Sequence, residues 1–104
     1  MIITRIEDAP IVRKVEGFEG RRLSDGPAAA LVHIQLDVGA VLEPHASPVD
    51  IAIFVLEGEA ELSCGDEKAM VKAGMLTQTP KGVLHGMRNT GRSPFRVLVI
   101  KSLT

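Results

Sequence analysis

Apolar residues in this chain fall in short runs rich in Val, Ile and Leu, separated by Gly, Pro, Asp and Asn at intervals of about 8–12 residues. No stretch sustains the repeat of an amphipathic helix, so the pattern predicts an all-β protein, a sandwich or barrel of antiparallel strands. Residues 30–38, ALVHIQLDV, alternate: Val32, Ile34, Leu36 and Val38 lie on one face, and Leu31, His33, Gln35 and Asp37 on the other. That is the pattern of a half-buried strand. Residues 59–72, EAELSCGDEKAMVK, set Ala60, Leu62 and Cys64 opposite Glu59, Glu61 and Ser63, turn at Gly65-Asp66, and return through Ala69 and Val71, which predicts a hairpin.

Two runs break the alternation. IAIFVL at 51–56 and RVLVI at 96–100 are apolar on both faces, so something must cover each side. In so short a chain the second cover is either the N-terminal segment or another subunit, and the expectation is a homodimer. Gly39, Pro44, Pro48, Gly58, Gly74, Pro80, Gly82 and Pro94 stand where strands must end. The TPKG stretch at 79–82 has Pro second and Gly fourth, a pattern suited to a type I turn that delivers His85 onto the following strand.

Size and charge narrow the functional classes. A chain of 104 residues has material for one hydrophobic core, hence a single domain over residues 1–104. The formal net charge is -1 and the basic residues are scattered, which gives no footprint for a phosphate backbone. Trp and Tyr are absent and only three Phe are present, too few to build a stacking platform for single strands. Nucleic acid is therefore not an expected partner. The N-terminal MIITRIEDAP lacks the apolar core of a signal peptide and no segment reaches transmembrane length, so no membrane is expected and the expected location is cytoplasmic. The one cysteine, Cys64, cannot form an internal disulfide and accords with a reducing compartment.

The most specific signal begins at Gly74. GMLTQTPKGVLHGMRN spaces Gly74, Pro80, Gly82, His85 and Asn89 as Gly, five residues, Pro, one, Gly, two, His, three, Asn. This resembles the complete second motif of the cupin superfamily, over residues 74–89. Upstream, Gly39, His45 and Gly58 stand in register with the first cupin motif, over residues 39–58, but Ser47 occupies its second histidine position and Ile51 its glutamate position, with Asp50 immediately before. The resemblance covers about residues 30–101. It implies a small antiparallel, jelly-roll-like cupin β-barrel with its pocket at one mouth.

In metal-binding cupins three histidines and one glutamate converge inside the barrel, and residue-by-residue transfer keeps only His45 and His85 here. The resemblance thus makes these two the candidate metal ligands, for one divalent transition metal among which Fe, Mn, Ni, Cu and Zn are not distinguishable. Two imidazoles rarely hold such an ion against water. Gln78, with a neutral amide oxygen, is a plausible pocket residue and a weak donor. Asp50 faces outward if position 51 faces inward, unless a bulge shifts the register. Ser47 is a neutral alcohol, and Cys64 reads as a small buried hydrophobe. His33 reads as an exposed or hydrogen-bonded histidine, Glu59 and Glu61 as a solvated hairpin surface, and Met70, Met75 and Met87 as core fillers.

Two functions remain open. One is a binding module in which His45, Ser47, Ile51, Ile53, Gln78 and His85 line a pocket for a small organic ligand, Ile51 having made the pocket more apolar than a glutamate would. The other is a metal-dependent enzyme, of the dioxygenase or isomerase kinds that the resemblance implies, with an incomplete protein ligand set. Metal-free proton transfer by His85 lacks an identifiable partner, and nothing in the sequence supports nucleophilic hydrolysis or nucleotide chemistry.

Overall fold

The computed structural model describes residues 1–103, and its strands are β1 (Ile11–Val15), β2 (Phe18–Ser24), β3 (Ala30–Leu36), β4 (Val41–His45), β5 (Ile51–Glu57), β6 (Glu59–Cys64), β7 (Glu67–Lys72), β8 (Leu76–Thr79), β9 (His85–Arg88) and β10 (Phe95–Lys101). A single 3-10 turn, Ile6–Asp8, precedes them. Six strands form one sheet in the order β1-β2-β3-β10-β5-β8, and four form a second in the order β4-β9-β6-β7. Every pairing is antiparallel. The protein is thus the all-β, antiparallel jelly roll that the sequence predicts. No helix among the described residues is long and apolar enough to cross a membrane.

The two sheets bury one core between them. From the larger sheet come Ile34, Leu36, Ile51, Ile53, Val55, Phe95, Val97 and Val99; from the smaller, Leu42, Ala60, Leu62, Val71 and Met87. Each aliphatic side chain fully removed from water stabilises the fold by about 1.5–3 kcal/mol, so this set dominates the energetics. The period-two alternation that identifies each strand therefore also decides which half of its side chains enters the barrel.

Glycine is needed where backbones close up. Gly58 has φ 83° between β5 and β6, and a Cβ there would stand 2.6 Å from the carbonyl oxygen of Pro94. The hairpin β6–β7 turns on Gly65-Asp66, as predicted, with Gly65 at φ 59° and no non-glycine residue at positive φ, which fits a type II′ turn. Its return strand differs from expectation at Ala69, which is exposed while Val71 is buried.

Two local expectations are corrected, and a third is met in its hydrogen-bonded form. The strand expected over residues 30–38 ends at Leu36; Val38 is exposed in a turn where the Ala40 N–H donates to the Asp37 carbonyl. The turn after β8 lies one residue later than expected: the Val83 N–H donates to the Pro80 carbonyl, and Gly82 takes the third position with φ 79°, which makes it a type II turn. His33 is buried although it lies on the face opposite the core, because β2 and β10 flank it and Arg96 covers it. The Arg96 Nε–H donates to His33 Nε2 at 3.2 Å, so that nitrogen carries no proton.

The two doubly apolar runs become the adjacent strands β5 and β10 of the larger sheet. Their inner residues fill the core. On the outer face Leu98, Phe54 and Leu76 stand side by side across β10, β5 and β8, with Leu98 half-buried and Phe54, Leu56 and Leu76 exposed.

Candidate functional site

His85 opens β9, the second strand of the smaller sheet, and pairs with His45 of β4 on one side and Cys64 of β6 on the other. From Met87, which is in the core, alternation turns His85 inward as well. His45 reaches the same face by a different route. Leu42 pairs with Met87 and His45 with His85, so β4 spends three residues where β9 spends two. Strict alternation from the buried Leu42 would direct His45 outward; the extra residue in this bulge, beside Pro44, reverses that. Gly86 permits it, since a Cβ there would lie 2.8 Å from the Leu42 carbonyl oxygen and 3.1 Å from Pro44 N.

The two imidazole rings meet with centroids 4.4 Å apart and planes tilted by 54°. Each Nδ1 lies against a main-chain carbonyl two residues earlier, His45 on Glu43 at 3.3 Å and His85 on Val83 at 3.2 Å. A carbonyl only accepts, so Nδ1 carries the proton in both rings and Nε2 keeps a lone pair while the ring is neutral. His85 is buried and His45 exposed at the mouth. Burial pushes the His85 pKa below the ordinary imidazole value, the hydrogen bond to Val83 opposes the shift, and the charges of His45 and Lys101 add to it.

Both rings border a cavity of about 180 Å³. Ser47, Ile51 and Ile53 line it as well, with Val32, Ile34, Leu42, Met87, Val99 and Lys101. The apolar wall follows from the inward faces of β3, β5 and β10. The sequence reading did not pick out Lys101, although the alternation Phe95, Val97, Val99, Lys101 was there to place it on the inward face.

Gln78 does not line this cavity. Thr77 and Thr79 take the inward positions on β8, Gln78 is exposed, and its cross-strand neighbour is the outward Ala52. It borders instead a neighbouring space of about 150 Å³ shared with Cys64, Thr77, Thr79 and His85. Asp50 also points away. Its Oδ1 accepts from the Lys81 N–H at 2.9 Å and the Gly82 N–H donates to the Ser47 carbonyl at 2.9 Å, so the stretch after His45 anchors the turn that leads to His85. Ser47 Oγ accepts from the Val49 N–H at 3.2 Å, a local turn contact.

A divalent metal would find two suitable nitrogens here and little else. The remaining first-motif positions present a hydroxyl at Ser47 and a hydrocarbon at Ile51, the cationic Lys101 shares the wall, and no three of His, Cys, Asp and Glu gather at one point among the described residues. With no carboxylate to offset the ion's charge, this donor set does not fit a protein-held divalent metal.

The last residue of the second motif has a structural task. Asn89 is buried, its Nδ2 donates to the carbonyls of Leu36 and Ser93, and its Oδ1 accepts from the Gly91 N–H. It ties the end of β3 to the loop between β9 and β10.

The comparisons with known proteins agree with this geometry. The family model described as "Cupin domain" matches residues 32–101. A structure described as a predicted oxalate decarboxylase from Thermotoga maritima superposes with TM-score 0.85 at 21% identity, over 99% of this chain and 100% of that one. KdgF from Halomonas sp. gives TM-score 0.83 at 19% identity, over 96% and 94% of the two chains. The polyketide cyclase RemF from Streptomyces resistomycificus gives 0.82 at 24% identity, over 97% and 78%. At these identities the likeness is one of fold. No curated protein matches the chain.

Proposed function

The chain belongs to the Cupin domain family, and from that premise we propose that it is a small-molecule binding protein whose ligand occupies the cavity beside His45 and His85. The observation that carries this reading is the pair of imidazoles, rings 4.4 Å apart, at the edge of an otherwise largely apolar cavity of about 180 Å³. That volume is a little larger than the ~150 Å³ apolar cavity known to accept benzene, so a single substituted ring is of suitable size. Convergent polar groups on an apolar wall are the ordinary makeup of a ligand site. The metal-dependent enzyme that remains the alternative lacks support from the donor set around the two rings.

Metal analysis and ligand titration test the reading together. Untagged protein incubated with iron, manganese, nickel, copper or zinc salts and then dialysed is expected to keep no stoichiometric metal. Small aromatic probes are expected to shift the amide resonances of Ile51, His85 and Met87. Stoichiometric metal that disappears in both His45→Ala and His85→Ala would overturn the metal-free reading.

The pairing with a second copy belongs to the same proposal and rests on the outer face of β8, β5 and β10. There the row Leu98, Phe54, Leu76 is flanked by Arg96 and Glu57, 3.9 Å apart, one charge of each sign. A two-fold mate can set hydrocarbon on hydrocarbon and meet each charge with its opposite. Light scattering after gel filtration should give a dimer for the protein and a monomer for Leu98→Lys; a monomeric parent protein, or a dimer that survives the substitution, would sink this part.

A further inference from the structure

Lys101 closes β10 at the end of an inward series whose other members, Phe95, Val97 and Val99, are buried in the core. Its cross-strand neighbours are Ile51 and Ala30, both without charge. The cavity it lines with His45 and His85 holds no carboxylate, and no ion pair among the described residues includes Lys101. Asp50, the acidic residue nearest to Ile51 in sequence, is turned outward and engaged with the Lys81 N–H. The wall therefore carries one lysine, two imidazoles and a hydroxyl, and no acidic group.

A half-buried lysine on a largely apolar wall gains most from an anion brought to it in the same cavity, where the attraction is less screened than in open water. A cation would meet the reverse. The position at which the family's metal-binding members keep a glutamate is Ile51 in this chain, and the residue facing it across the sheet is a lysine. The charge sign of the cavity is inverted relative to a metal site.

We propose that the cavity binds a small organic anion, a carboxylate on an apolar body about one six-membered ring in size, with the carboxylate at Lys101 and the body against Ile34, Ile51, Ile53 and Met87. This rests on the cavity being a ligand site and supplies the chemical class of that ligand. The charge of Lys101 is felt inside the cavity: it is among the smaller contributions, after burial, that hold the His85 pKa below its ordinary value.

Three matched probes decide the matter: benzoate, benzyl alcohol and benzylamine, titrated at neutral pH and followed by calorimetry and by the amide resonances of Ile51 and Met87. Benzoate is expected to bind at least about tenfold more tightly than benzyl alcohol, as one charge-assisted hydrogen bond allows, and benzylamine least. Lys101→Met should abolish the advantage of benzoate over benzyl alcohol, and Lys101→Arg should restore most of it. Equal binding of benzoate and benzyl alcohol to the parent protein, or an advantage that persists in Lys101→Met, overturns the anion assignment and leaves the ligand site standing. Failure of all three probes to move Ile51 or Met87 overturns both.

Discussion

His85 and His45 border one cavity and make the same local hydrogen bond, yet the protein secures them by different means. His85 sits on a regular strand with partners on both sides, is buried, and follows a turn held by Asp50 and by the Ser47 carbonyl. His45 ends an edge strand, is exposed, and faces inward only because β4 carries a bulge opposite Gly86. The difference teaches that a motif can be intact in sequence on one flank of a site while its other flank depends on backbone irregularity. It also separates what a substitution should do on each side.

The largest effect is expected behind His85. Asn89→Ala removes three hydrogen bonds at a buried position, which should cost about 2–4 kcal/mol in denaturant unfolding. A cost under about 1 kcal/mol would mean that the clasp is dispensable and that both flanks are equally loose. The next effect falls on the other flank. Gly86→Ala forces a methyl against the Leu42 carbonyl and Pro44, so β4 must withdraw, at about 1–3 kcal/mol. Imidazole resonances should then move more for His45 than for His85; equal displacement of the two rings would show that the bulge does not act on His45 alone.

The smallest effect concerns pH. Burial lowers the pKa of both His85 and His33, with Arg96 adding to the shift at His33. The unfolded chain then takes up protons more readily than the folded one. Stability from the neutral rings is fully present above the unfolded value of about 6.5 and is lost as pH falls below it through the lower folded values. Thermal unfolding followed downward from neutral pH should show this decline, and His85→Phe should flatten it in part, the remainder belonging to His33. A decline unchanged in that variant would place the titrating group elsewhere.

Much of this was legible in the residues. The alternation of residues 30–38, the Gly65-Asp66 hairpin and the spacing from Gly74 to Asn89 are all visible in the chain, and the structure realises them with shifts at strand ends, the first strand stopping at Leu36. The cavity brings together His45, Ser47, Ile51, Ile53 and His85, as the motif register implied. The misplacement lies at β8. Gln78 is expected in the pocket, but Thr77 and Thr79 take the inward positions on β8 and the turn that follows lies one residue later than expected. His33 is the hydrogen-bonded histidine that its outer position suggests, and its burial there is decided by β2, β10 and the Arg96 side chain.

The order of residues settles the period of two, and with it which side chains travel together on one face of each strand: Val97 with Val99 and Lys101, Ile51 with Ile53 and Val55. Only the tertiary structure decided how those faces combine, because register, bulges and the crossing of sheets depend on contacts between segments far apart in the chain. The bulge at Pro44 turns His45 toward His85, and the end of β10 brings a lysine to the cavity that the two rings border.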